Sequence, residues 1–258
     1  MLVPIIDKRT ITPDLFVLRL EAPTISSSVK PGQFVNILPR TGSIDPLLRR
    51  PFSVYQTGGN WIEVIVQIHG KGTQELAYRS KGDTLDVLGP LGMPWKAESS
   101  NYQTAILVVG GVGVASMPSL TKYLQSSSKK FVTYYGARTA SLFADEYLIN
   151  VSYATDDGSK GFRGNVIELL RGDLSGNKFE SPKLFVCGPT PMMRAAVKLA
   201  EEFSIPCEVS LETEMACGVG ICQGCPVVTT EHEFASTGKK FHLVCTHGPS
   251  FEREQIIF

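Results

Sequence analysis

Cys217, Cys222 and Cys225 stand in a C-x4-C-x2-C loop, Met-Ala-Cys217-Gly-Val-Gly-Ile-Cys222-Gln-Gly-Cys225-Pro, and Cys245 follows at a distance. Four thiolates in this order are what a [2Fe–2S] cluster needs, two for each iron, and the x4–x2 spacing is the plant-type one. A loop that wraps so small an inorganic core must bring backbone N–H groups up to its sulfides. Gly218, Gly220 and Gly224 alternate with the cysteines and suit the positive-φ conformations that wrapping requires. Zinc also takes four cysteines, but structural zinc sites usually pair one C-x2–4-C knuckle with a second, and Cys245 has no partner at that spacing. A disulfide pair fits a cytosolic chain less well than either. The spacing favours the cluster over zinc, and with it a carrier of single electrons.

A second group of residues is suited to phosphate. Gly110-Gly111-Val112-Gly113 follows the apolar run Ala105–Val109 and precedes a helical stretch. A glycine turn there lets a pyrophosphate meet a helix N-terminus, where free N–H groups and the helix dipole favour anions. Cys187-Gly188-Pro189-Thr190 ends another apolar run in the same way, and two such turns at strand ends can line one crevice. Arg50-Pro51-Phe52-Ser53 offers an arginine with rigid bidentate donors, and Gly70-Lys71-Gly72-Thr73 puts amides and a hydroxyl before a helical turn at 73–78. Taken alone, the glycine turn at 110–113 reads equally well as a tight strand-to-helix turn, and the tetrapeptides at 50–53 and 70–73 each read better as plain turns. Cys187 and Cys207 also read as plain buried cysteines. His69, His232, His242 and His247 lack ligand spacing and read as loop or surface residues.

The elements that must hold these groups fall into three blocks: residues 1–100, 101–209 and 210–258. The first carries short β-rich runs at 15–20, 33–38, 52–55, 61–68 and 84–88. Gly and Pro punctuate them, as in a small antiparallel barrel. The second alternates strand and helix: the continuous apolar run at 105–109 marks a central parallel strand, further strands are expected at 131–135, 151–154, 183–186 and 208–211, and the clearest helix runs from Pro191 to Phe203. That pattern describes an open α/β nucleotide-binding sheet. The third block is the cysteine appendage. At 258 residues, with 43% hydrophobic and 19% charged residues, the chain has room for two modest domains and the appendage. Lys+Arg and Asp+Glu balance at 25 each, which gives no pull toward nucleic acid or an anionic membrane. No run spans a bilayer and no signal peptide is evident, so the expectation is a soluble cytoplasmic protein.

The order Arg50-Pro-Phe-Ser53, Gly72-Thr73, Gly110-Gly-Val-Gly113, Cys187-Gly-Pro189 and then the cysteine loop resembles the ferredoxin–NADP reductase-like superfamily. More closely, the chain resembles the electron-transfer subunit of B-type dihydroorotate dehydrogenase. Leu88-Gly-Pro-Leu-Gly92, Ala154-Thr-Asp-Asp-Gly158, Pro206-Cys-Glu-Val-Ser-Leu-Glu212 and Val244-Cys-Thr-His-Gly-Pro-Ser-Phe251 extend the likeness along nearly the whole chain. The resemblance implies an FAD-binding antiparallel barrel, an α/β domain that takes NAD(H), and a [2Fe–2S] appendage. It implies FAD contacts at Arg50, Pro51, Phe52, Ser53, Gly72 and Thr73, and flavin against the backbone of Ile65, Val66 and Gln67. The nucleotide falls to Gly110, Gly111, Gly113, Cys187, Gly188 and Pro189, and the cluster to Cys217, Cys222, Cys225 and Cys245. Hydride from NADH would pass to FAD, and single electrons through the cluster to the FMN of a catalytic subunit in a heterotetramer of two of each chain. Orotate chemistry would belong to that partner, and no catalytic residue for it is identified here. Related reductase subunits of hydrogenases, sulfite reductases and transhydrogenases share the plan. Two features depart from the family's pattern: Glu214 stands where a basic residue is often found, and a polar insertion from Thr229 to Lys240 lengthens the gap between Cys225 and Cys245.

Overall fold

The computed structural model of the protein describes residues 1–40, 44–230 and 241–258. The polar insertion expected at Thr229–Lys240 lies mostly outside these residues, as does His232. Six strands, β1 (Leu2–Thr12), β2 (Leu15–Glu21), β3 (Phe34–Leu38), β4 (Arg50–Gly58), β5 (Trp61–Gln67) and β6 (Thr84–Leu91), close an antiparallel barrel in the order β1-β2-β5-β4-β3-β6. Its interior is the alternate set of apolar side chains, among them Phe16, Leu18, Leu20, Ile37, Ile62 and Val64. The helices α1 (Pro23–Ser26) and α2 (Lys71–Ala77) sit in its connections.

β1 was not among the expected strands, yet it closes the barrel. It pairs with β6 over Leu2–Pro4 and with β2 from Ile5 onward, with irregularities at Ile5/Asp7 and Thr10/Thr12. Pro4 and the Asp7-Lys8-Arg9 run hide the alternation that would have marked it, although Val3 and Ile5 are fully buried.

The second sheet has seven strands. β7 (Thr104–Gly110) lies at its centre, flanked by β8 (Lys130–Ala137), β9 (Val151–Thr155) and β10 (Phe162–Arg163) on one side and by β11 (Pro182–Cys187) and β12 (Cys207–Ser210) on the other. These six are parallel, and every residue of β7 is buried, as its apolar run requires. Helices α3 (Met117–Ser126), α4 (Val166–Ser175) and α5 (Thr190–Glu202) cover the sheet. α5 buries Met193, Ala196, Leu199 and Ala200, the faces expected from its spacing.

The C-terminal segment adds a small pair, β13 (Pro226–Val228) and β14 (Phe241–Leu243), the turn α6 (Val244–His247), and β15 (Ser250–Glu252). β15 pairs antiparallel with β12, so the appendage returns to extend the nucleotide sheet. The buried Lys183 ammonium holds this edge together, 3.0 Å from Glu208 and 3.3 Å from Glu252. The barrel meets the same segment where Met93 N donates to Gly248 O at 2.6 Å. No helix among the described residues is long and apolar enough to cross a membrane.

Candidate functional site

The cysteine loop folds back on its own sulfurs. Cys217 Sγ accepts N–H bonds from Val219 and Cys222, both at 3.4 Å, and Cys222 Sγ accepts one from Gly224 at 3.4 Å. Gly218 and Gly220 adopt φ of +73° and +83°, as expected, whereas at the next turn Gln223 rather than Gly224 takes the positive φ, at +54°. Cys225 Sγ lies 3.2 Å from Cys245 Sγ, so the four thiols form two pairs, Cys217 with Cys222 and Cys225 with Cys245. The amide of Cys222, then that of Val219, draws the Cys217 thiol down to about 6, while burial and the neighbouring Cys225 push Cys245 up to about 12. Among the described residues no three side chains of the His, Cys, Asp or Glu type converge on a single point. Two pairs of thiols with amides aimed at sulfur fit a two-iron cluster, which takes two thiolates per iron, rather than one tetrahedral ion. The loop rests on the barrel: Asn36 Nδ2 donates to Cys217 O at 3.3 Å, and a β-carbon on Gly218 would strike that amide at 2.2 Å.

The glycine turns come together because β7 and β11 are adjacent parallel strands, paired to Val109 and Cys187. A β-carbon on Gly113 would lie 2.4 Å from the carbonyl oxygen of Cys187, so only glycine permits this contact. Beyond the turns opens a cleft of about 650 Å³, lined by Gly110, Gly111, Gly113, Gly188 and Pro189 from the sheet and by Asp14 and Gln67 from the barrel. Arg138 and Asp156 line the same cleft from the ends of β8 and β9.

A smaller cavity of about 250 Å³ adjoins it, lined by Pro51, Phe52, Ser53 and Ile65 of the barrel, Cys187 of β11 and Met215. Gln67, Val112 and Glu212 line both, so the two spaces share a wall. Cys187 is thus a wall of the second cavity as well as a strand terminus, and burial holds its thiol up at about 12. Thr213 Oγ1 lines the smaller cavity, buried and without a hydrogen-bond partner among the described residues. That hydroxyl, in a mostly apolar slot, is placed to meet a polar atom of a bound ring, and the size and lining of the slot fit a flavin.

Arg50 and Gly72, 22 positions apart, meet: a β-carbon on Gly72 would lie 2.8 Å from Arg50 Nε. The guanidinium is held by the carbonyls of Leu48 at 2.7 Å and Arg49 at 3.2 Å. The helical turn expected from Thr73 begins instead at Lys71, and the Thr73 hydroxyl accepts from the amides of His69 and Gly70 at 2.8 and 3.2 Å. That hydroxyl caps its own helix. Val66 points into the barrel core, fully buried, and offers the site only its backbone. His242 departs from its expected loop or surface place: it lies in β14, its ring 4.7 Å from that of His247.

Three residues between β12 and the cysteine loop escaped the sequence reading as site residues. Glu212, Thr213 and Met215 line the flavin-sized cavity, and no motif of their own marks them. Glu212 is exposed to the open cleft, yet the surrounding wall desolvates its carboxyl, with no other charge contributing, and raises it above its ordinary range. Solvent reaches it through the cleft, so it is less dry than a core carboxylate.

Residues 212–257 match the iron–sulfur cluster binding domain of dihydroorotate dehydrogenase B. Over nearly its full length the chain is similar to the protein of Geobacillus kaustophilus named dihydroorotate dehydrogenase B (NAD(+)), electron transfer subunit: 36% identical over 258 residues, covering 97% of this chain and 95% of that one. The protein of the same name from Desulforamulus reducens is 34% identical over 256 residues, covering 96% and 94%. Among solved structures, the NADH-dependent reduced ferredoxin-NADP oxidoreductase, studied for flavin-based electron bifurcation, superposes with a TM-score of 0.85 at 31% identity, covering 100% of this chain and 90% of that chain. Its cysteine loop, its barrel and its nucleotide sheet agree with these likenesses along the whole sequence, and the chain belongs to the family of dihydroorotate dehydrogenase B electron transfer subunits.

Proposed function

We propose that this chain draws electrons from NADH and delivers them, by way of FAD and a [2Fe–2S] cluster, to the FMN of a dihydroorotate dehydrogenase catalytic subunit in pyrimidine biosynthesis. The observation that carries this reading is the order of the sites. The nucleotide cleft shares Gln67, Val112 and Glu212 with the flavin-sized cavity, and Met215, in the wall of that cavity, stands two residues before Cys217. Bound in the middle position, FAD supplies the exchange between a two-electron hydride donor and a one-electron cluster.

The chain's own residues bind and orient. Gly110, Gly111 and Gly113, with Gly188 and Pro189, leave room for the dinucleotide's pyrophosphate over the ends of β7 and β11. Arg50, lying over Gly72, takes the FAD phosphates as a charge-assisted donor. Pro51, Phe52 and Ser53 border the flavin ring on the barrel side, Ile65, Val66 and Gln67 lay backbone against it, and Thr213 offers it a hydroxyl. Cys217, Cys222, Cys225 and Cys245 hold the cluster. These assignments follow the three blocks 1–100, 101–209 and 210–258, with two copies of each subunit in a cytoplasmic heterotetramer. Anaerobic purification with the catalytic subunit tests the whole: equimolar iron–sulfur cluster and FAD in this chain, and NADH-dependent reduction of orotate by the complex alone, are expected. A colourless or zinc-loaded protein ends the redox reading.

The 31% likeness over the full chain to the ferredoxin-NADP oxidoreductase structure supports a second reading, a reductase subunit in a complex of that kind. The partner that co-purifies from native extract decides between them.

A further inference from the structure

We propose that Asp14 and Gln67 form the subsite for the nicotinamide-riboside half of the dinucleotide, on the barrel wall of the cleft; this rests on the cleft being the NADH site. In the β2–β5 pairing Leu15 faces Gln67, which brings the β1–β2 turn beside the end of β5, and Ile68 N donates to Asp14 O at 2.8 Å. Two side chains fix the carboxylate. Thr12 Oγ1 donates to Asp14 Oδ1 at 2.6 Å, and Gln67 Nε2 donates to Asp14 Oδ2 at 3.4 Å. Thr12, Asp14 and Gln67 all line the cleft, across from the glycine turns.

Which half of the dinucleotide meets this wall follows from where the flavin must be. Gln67 lines the flavin-sized cavity too, so it stands at the end of the cleft where a nicotinamide has to lie to pass hydride. The pyrophosphate belongs over Gly110–Gly113. A carboxylate repels phosphate and favours neutral donors. Nicotinamide riboside supplies these, with two ribose hydroxyls and a carboxamide N–H2, and carries no phosphate of its own. Gln67 adds an amide able both to donate and to accept, and its Oε1 has no hydrogen-bond partner among the described residues. The Thr12 hydroxyl and the Gln67 amide also favour the ionised form of Asp14, which keeps it an acceptor at neutral pH. The adenosine half, lying toward Arg138 and Asp156, has no contact with this pair.

The test separates the two halves. Steady-state reduction of an artificial acceptor by NADH gives KM, and ADP, which lacks the nicotinamide riboside, is the competitive inhibitor. In the FAD- and cluster-loaded chain, Asp14→Ala and Gln67→Leu are each expected to raise the KM for NADH about tenfold, the equivalent of one lost hydrogen bond. The inhibition constant for ADP should stay within twofold of wild type in both variants, and the FAD content should do so in Asp14→Ala, which lies outside the flavin-sized cavity. Equal losses for NADH and ADP, or an unchanged KM in both variants, would overturn the subsite. A wild-type protein that does not oxidise NADH, or that oxidises it without inhibition by ADP, would instead remove the cleft reading beneath it.

Discussion

The guanidinium of Arg50 lies across the α-carbon of Gly72, close enough that a β-carbon at 72 would stand 2.8 Å from Nε. One residue comes from the start of β4 and the other from the first turn of α2, so the barrel builds this corner, the proposed FAD-phosphate site, from two connections. A charge-assisted hydrogen bond to phosphate contributes about 1.5–3 kcal/mol. Arg50→Ala should therefore weaken FAD binding roughly ten- to hundredfold. Gly72→Ala should act by displacing the same side chain. The two changes share one interaction and will not add: the double variant should bind FAD no more weakly than Arg50→Ala alone. Titration of the apoflavoprotein with FAD measures all three, and additive losses would separate Gly72 from Arg50.

Cys222→Ser should remove or destabilise the cluster, because a hard hydroxyl replaces a soft thiolate. The smaller cavity that fits the flavin is walled by barrel residues, Cys187 and the stretch before Cys217, none of which contributes a cluster thiolate. FAD content should therefore survive. Iron analysis beside flavin absorption checks both, and simultaneous loss of iron and flavin from a folded variant would contradict separate sites.

These sites were legible in the sequence to different depths, for physical reasons. The cysteine loop and the glycine turns are local: three of the four thiols, Cys217 to Cys225, and the tight strand-to-helix turn are each encoded within a dozen residues. Five of the six parallel strands were equally plain, since burial on both faces leaves a continuous apolar run such as Ala105–Val109, whereas β10, two exposed residues, carries no such run and was missed. What stayed hidden depends on distant pairing. β15 is three residues long and acquires meaning only by pairing with β12 about forty positions earlier in the sequence. Glu212 and Thr213 are ordinary polar residues until the end of β12 turns them toward the flavin-sized cavity, and Asp14 is an unmarked turn residue until β2 lies beside β5.

Lys183, only 1% exposed, faces Glu208 and Glu252 on the strands that tie the C-terminal segment to the sheet. Removing one partner of a buried pair leaves an uncompensated charge and costs about 3–5 kcal/mol. Lys183→Met should lower the stability of the protein by that amount in urea, and replacing Glu208 by Leu in the same chain should restore part of it. A single variant as stable as wild type would show that the pair contributes nothing at this edge.

Glu212 gives stability a pH dependence whose sign is set by the cleft wall, which desolvates the carboxyl although the residue stays exposed on the open side. Its folded-state value is raised above that of the unfolded chain, so the stability linked to its protonated form is fully present below the unfolded value, about 4.3. It is lost as pH rises through the folded value. Glu212→Gln removes the charge without changing the shape. Wild type should match the variant at acid pH and fall below it as the carboxyl ionises toward neutrality, in thermal unfolding followed at constant ionic strength. Parallel curves across that range would show that the carboxyl is not desolvated.

Glu214 lies three residues before Cys217 and is exposed, unlike the cysteine pair it precedes at 225 and 245. Reduction adds negative charge to an already anionic cluster, so an ionised carboxylate nearby disfavours the reduced state. In water, a unit charge at roughly 8 Å contributes about 0.5 kcal/mol. Reversing its sign with Glu214→Arg should raise the midpoint potential by about twice that, on the order of 40 mV for one electron. Because the side chain is solvated, salt should erase much of the difference once the screening length falls from roughly 30 Å at 0.01 M to about 8 Å at 0.15 M. A redox titration followed by EPR, wild type against variant at two ionic strengths, reads both effects. A potential that stays in place at low salt, or moves lower, sinks the idea, and hydrogen bonds from Val219 and Cys222 to Cys217 are then left to set it.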